Sequence, residues 1–144
     1  MPDSCRPSWL WDDGETQYTA DDLRWADRVI VKNTQLVGMM QMAGVDLLTG
    51  TDLPPNAKGG TIHDELTALV GAGLTPLQAL EAATRKPAEF LGKLNTLGTI
   101  EVGKSADLVL LNANPLDDIR NTREIEAVIL RGNIILRRTQ RQPL

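Results

Sequence analysis

Twenty-three residues, Gly44 to Leu66, constrain this chain more than any other stretch. A short apolar run, Val45 to Leu48, ends in Thr49-Gly50-Thr51-Asp52. A loop rich in Pro and Gly follows, and a helix then opens with His63, the single histidine of the chain. That order predicts a buried strand, a carboxylate at its C-terminal end, an irregular loop and a covering helix. Active sites of parallel α/β architectures are built at the C-terminal ends of strands, which makes Asp52 a candidate functional residue. Asp followed by a Pro-containing loop is also ordinary turn chemistry, so a purely local role for Asp52 stays open.

The remaining elements follow from period and punctuation. Residues 1–18 carry two prolines, Trp9, Trp11 and Asp12-Asp13-Gly14 without any period, and read as a loop or tail. Thr19-Ala-Asp-Asp22 resembles a capping box, and Leu23, Ala26, Ile30, Val37 and Met40 recur at helical spacing, which predicts a helix over about 20–42. The Met39-Met40-Met42 group reads as core filling. A second helix is predicted over 62–70 with Leu66, Leu69 and Val70 on one face, and Glu65 reads as a first-turn residue favoured by the helix dipole. Thr75-Pro76 caps and starts a third helix with Leu77, Leu80 and Ala83 along its face; Pro87 should break it, leaving a short turn to Gly92. Beyond Leu94 the pattern becomes β: runs at 99–101, 107–111, 125–130 and 134–136, with Arg131-Gly132-Asn133 as a tight hairpin signal.

One motif matches and is rejected. Gly98-Thr-Ile-Glu-Val-Gly103-Lys104-Ser105 fits the phosphate-loop pattern letter for letter. That pattern works only where glycine-rich backbone leads straight into a helix N-terminus. Here Ala106 to Leu111 reads as a strand, and Glu101 inside the supposed cradle would repel phosphate. A turn between two strands explains the same letters.

Composition narrows the classes. A chain of 144 residues is the size of one domain and can bury roughly two-thirds of its unfolded surface. A net charge of −4 gives no general affinity for nucleic acid, and Arg131, Arg137, Arg138 and Arg141 near the end read as a solvated tail. Cys5 has no second cysteine to pair with, and no run of apolar residues is long enough for a membrane span. With no signal-peptide pattern at the N-terminus, a cytoplasmic location is the expectation.

Taken in order, Gly50-Thr51-Asp52, His63-Asp-Glu-Leu66, Ala72-Gly-Leu-Thr-Pro-Leu-Gln-Ala-Leu80-Glu-Ala-Ala-Thr84, Leu97-Gly-Thr-Ile-Glu-Val-Gly-Lys-Ser-Ala-Asp-Leu-Val-Leu-Leu111, Asn114-Pro-Leu116 and Val128-Ile-Leu-Arg-Gly132 resemble the C-terminal part of the amidohydrolase superfamily. The nearest branch is that of imidazolonepropionase-like and Xaa-Pro dipeptidase-like enzymes. The resemblance implies an α/β fold: the C-terminal part of a metal-dependent (β/α)8 barrel, its last strand and helices over 19–93, followed by a small β-sandwich segment over 94–144. It implies hydrolysis of C–N bonds in amides, cyclic amides or dipeptides by an activated water. Asp52 matches the strand-end aspartate that binds metal and takes the proton from that water. His63 matches a position near the substrate, with a local helix-capping role as the alternative. A divalent metal, zinc by expectation, belongs to the complete enzyme. A zinc site needs about three protein ligands, and a barrel needs roughly 250 residues. The family's other ligands belong to earlier strands. This chain alone is therefore expected to be inactive and to bind metal weakly or not at all, needing the missing N-terminal barrel portion or self-association. Small-molecule or dipeptide substrates are the expected partners, with neither nucleic acid nor membrane. The alternative is a non-catalytic remnant serving as a structural or interaction domain.

Overall fold

The computed structural model describes residues 19–51 and 61–136, so the N-terminal tail, the loop carrying Asp52 and the last arginines lie outside the described residues. Four helices precede a three-stranded sheet: α1 Ala20–Met42, α2 Thr61–Gly71, α3 Pro76–Ala83, α4 Arg85–Phe90, then β1 Leu108–Leu111, β2 Ile125–Leu130 and β3 Asn133–Leu136. A 3₁₀ helix, Ile119–Arg123, joins β1 to β2.

The helix starts are chemically specified. Thr19 and Thr75 each close a reciprocal capping box, with Asp22 and Gln78 respectively. Each cap contributes about 1 kcal/mol. Pro76 occupies the first turn of α3, where no backbone donor is needed. The break between α3 and α4 falls at Thr84, three residues before Pro87. A continuous helix would drive the Pro87 ring into the carbonyl four residues earlier, so the chain turns before that clash arises. The break leaves the Ala82 carbonyl without its helical donor, and the Thr49 N–H takes it at 3.0 Å.

The core sits between helices and sheet linker. Leu66 of α2, Ala79 of α3 and Ile119 of the 3₁₀ helix form its centre, with Leu69, Val70, Leu80 and Ala83 packed around it. Small residues dominate the burial: Ala26, Ala79, Ala82 and Ala88 are all buried. Helices therefore approach closely, and at Gly38 an added Cβ would lie 2.7 Å from the Ala72 carbonyl oxygen. On α1 the covered face is the expected one, through Leu23, Ala26, Ile30, Val37 and Met40.

Several expectations are corrected. Met39 and Met42 are exposed, so only Met40 of that group faces the protein. On α3 the inward positions are Ala79 and Ala82, while Leu77 points outward. Segment 45–48 is not a ladder strand: among the described residues it has no strand neighbour, and Val45 and Leu48 are exposed. Its ties are to helices, through the Thr49–Ala82 bond and an ion pair from Lys86 to Asp46. The run 99–101 forms no strand either.

The sheet runs β1-β2-β3, antiparallel throughout, with Leu110 opposite Ala127 and Leu130 opposite Asn133. Arg131 and Gly132 both have positive φ, 49° and 79°, the geometry of a two-residue type I′ turn. Asp107 holds that turn in place: its carboxylate accepts the Arg131 N–H at 2.7 Å and the Ser105 hydroxyl at 2.8 Å, which holds its pKa below the usual range.

The rejected phosphate-loop motif is accounted for. Ser105 is followed by β1 rather than a helix, and the Lys104 ammonium is taken up by Glu101 and the Thr99 hydroxyl. Gly98 is needed for another reason: its φ is +88°, and an added Cβ would meet Ala88 Cβ at 2.6 Å. It is a packing glycine between the linker and α4.

Candidate functional site

Asp52, the first candidate, lies outside the described residues, so its position is approached from both sides. Segment 45–48 leads to it through Thr49, Gly50 and Thr51, and α2 begins after the loop at Thr61. Between those flanks lies one bridging contact: Glu65 accepts the Gly50 N–H on Oε1 at 2.6 Å. The other carboxylate oxygen, Oε2, is shut off from solvent without a partner among the described residues. Glu65 is thus not merely a dipole-favoured helix residue, as its sequence position suggested. It anchors the end of the segment that carries Asp52. Its place in the second turn of a helix gives no hint of a backbone partner fifteen residues earlier.

His63 sits in the first turn of α2, half-buried against the 3₁₀ helix. Its Nδ1 lies 3.0 Å from the Thr122 hydroxyl. That hydroxyl also bonds the Ile119 carbonyl at 2.8 Å, and Thr122 is buried. The next pair along repeats the junction, with Asp64 taking the Arg123 guanidinium. Burial pushes the His63 pKa below its ordinary value of 6.5; the Arg123 charge adds to this and Asp64 opposes it. The imidazole is therefore neutral at physiological pH. A helix-capping role for His63 is not its visible contact, which is to the sheet segment instead. Thr122 and Arg123 escaped sequence reading because no spacing rule links positions 63 and 122. The only local signal there is Asp118, whose side chain caps the 3₁₀ helix through the Arg120 N–H.

A cavity of about 240 Å³ lies at the other end of the 45–50 segment, lined in part by Gln41, Val45, Asp46, Gln78, Glu81 and Arg85. It flanks the start of that segment, away from Gly50, and its cations are paired: Arg85 with Glu81 and Glu89, Lys86 with Asp46. Among the described residues no three His, Cys, Asp or Glu side chains converge where a metal could sit. These residues do not by themselves fit a metal centre, which needs about three ligands. No helix among them is long and apolar enough to cross a membrane.

The chain as a whole is similar to known proteins. The Amidohydrolase family model matches residues 13–135. The chain is 38% identical over 87 residues to ochratoxinase of Aspergillus niger, covering 60% of this chain and 18% of that protein. It is 36% identical over 99 residues to imidazolonepropionase of Thermoplasma acidophilum, covering 66% and 24%. A solved Xaa-Pro dipeptidase with bound methionine in its active site superposes with a TM-score of 0.66 at 31% identity, over 72% of this chain and 25% of the other. The chain thus spans about a fifth to a quarter of the relatives it matches. With a match across nearly its whole length, the chain belongs to the amidohydrolase family.

Proposed function

We propose that this chain supplies the C-terminal part of a metal-dependent hydrolase of C–N bonds, with residues 19–93 completing a (β/α)8 barrel and residues 94–144 contributing to a β-sandwich beside it. One observation carries the reading: segment 45–48, apolar but for Asp46, leaves Val45 and Leu48 exposed and has no strand neighbour among the described residues. In this reading a segment that no strand pairs among the described residues, with Val45 and Leu48 left exposed, is a sheet strand whose neighbours lie elsewhere in the barrel. The relatives' additional length is where such neighbours would reside.

In this reading Asp52 carries the chemistry. A carboxylate within hydrogen-bond reach of the attacking water accepts its proton and returns it to the leaving nitrogen. Glu65 holds the approach to Asp52 through Gly50. His63 contacts the substrate beside the loop. A divalent ion, zinc in our reading, would polarise the scissile carbonyl and lower the pKa of the water. Most of its ligands would come from the rest of the barrel, and Asp52 would be this chain's share. Substrates would be small amides, cyclic amides or dipeptides, in keeping with relatives named imidazolonepropionase and Xaa-Pro dipeptidase.

The test is complementation. The chain is co-expressed with the remaining N-terminal portion of the Thermoplasma acidophilum relative, and the purified complex is assayed with dipeptides and cyclic amides. Metal-dependent hydrolysis is expected, with Asp52→Asn lowering kcat by about 10²–10⁴. A complex that assembles but never hydrolyses would establish the structural remnant instead.

A further inference from the structure

We infer that Thr122 is a positioning residue that locks His63 as the Nδ1–H tautomer, leaving the Nε2 lone pair as the acceptor His63 offers a ligand. Proton counting carries the inference. The Thr122 hydroxyl has one proton and lies 2.8 Å from the Ile119 carbonyl oxygen, which can only accept. That proton is spent on the carbonyl. Turned the other way, the hydroxyl would leave two oxygen lone pairs facing each other at that distance, inside a buried residue. What Thr122 Oγ1 then presents to His63 Nδ1, 3.0 Å away, is a lone pair, so Nδ1 must carry the proton. A neutral imidazole has only one N–H, so Nε2 is bare.

The anchor is firm at both ends. Thr122 is buried beside Ile119, part of the core that Leu66 of α2 shares, and the neighbouring Arg123–Asp64 pair spans the same junction. The Thr67 hydroxyl adds a 2.8 Å bond to the His63 carbonyl. Among the described residues the one hydrogen bond of the His63 ring is that at Nδ1.

The chemical consequence rests on the reading of His63 as a substrate contact. A bare Nε2 accepts from an amide N–H, an ammonium or a hydroxyl, or ligates a cation; it repels a carboxylate. His63 would thus select the donor-bearing portion of a substrate, and the sheet segment would set that preference from the far side of the ring. The tautomer itself does not depend on this reading.

Because His63 is the single histidine, its ring nitrogens need no assignment by mutagenesis. A long-range ¹H–¹⁵N correlation spectrum of the whole chain, recorded above neutral pH, should show Nδ1 at a protonated-nitrogen shift and Nε2 at that of a bare nitrogen. Thr122→Val should abolish this pattern in favour of Nε2–H or averaged shifts, and Thr122→Ser should restore it. A wild-type spectrum dominated by Nε2–H would overturn the inference, even if the valine variant fails to fold. So would an Nδ1–H pattern that survives in a folded Thr122→Val. Neither outcome bears on whether the complemented enzyme hydrolyses its substrates.

Discussion

Replacing Gly98 by alanine separates a packing role from a phosphate-loop role for the same glycine. The new Cβ would lie 2.6 Å from Ala88 Cβ, 3.2 Å from Arg85 Cα and 3.2 Å from the Thr84 carbonyl oxygen. Ordinary carbon contacts begin near 3.5 Å, so the Ala88 contact alone demands a shift of backbone. Two costs add. Holding a non-glycine residue at φ +88° costs about 1–2 kcal/mol, and overpacking a formed contact costs about 1–3 kcal/mol. Gly98→Ala should therefore destabilise by about 2–5 kcal/mol, a large share of a marginal total. Urea unfolding followed by circular dichroism reads this as a lowered midpoint at unchanged slope. Adding Ala88→Gly removes the shortest contact while leaving the φ strain. The pair should be less unstable than the sum of the singles by about 1 kcal/mol or more, as for residues in contact. Additive single effects, or a Gly98→Ala variant within about 0.5 kcal/mol of wild type, would refute the packing account.

Two further outcomes test the site in the chain alone. Glu65→Leu removes the acceptor of the Gly50 N–H and should speed its hydrogen exchange roughly tenfold, as for loss of about 1.4 kcal/mol of local bonding; Glu65→Gln, which keeps an acceptor, should exchange nearly as slowly as wild type. His63 should make stability depend on pH in a defined direction. Its folded pKa lies below 6.5, so the unfolded chain binds the proton more readily, and stability present above that value is lost as pH falls through it toward the folded pKa. Urea midpoints at about pH 8 and about pH 5.5 check this, and His63→Asn should flatten the difference between them.

How much of this was legible in the sequence differs by element. Thr19 and Thr75 announce their helices because a cap is a local hydrogen bond, complete within four residues. The hairpin was legible from Gly132, a residue suited to positive φ between two apolar runs, whereas Arg131 at φ 49° carries no such signal. Which residues of α3 face inward was not plain. Leu77 and Ala79 lie on opposite sides of the helix, and the packed side is the one carrying Ala79, Leu80, Ala82 and Ala83. Segment 45–48 reads as a strand because its residues suit one, yet a ladder needs a neighbour that no local pattern supplies.

The candidate site divides along the same line. Asp52, at the end of an apolar run, and His63, at the opening of a helix, are visible in the sequence because motif and punctuation are properties of contiguous residues. Their surroundings are not. Only the tertiary structure brings Glu65 onto the Gly50 N–H and Thr122 onto the His63 ring, across 15 and 59 positions of chain. Periodicity states which face of an element is buried but not which element covers it. The hydrogen bonds that set a tautomer or hold a strand end are made between elements, so they exist only once the helices and the sheet segment have packed together.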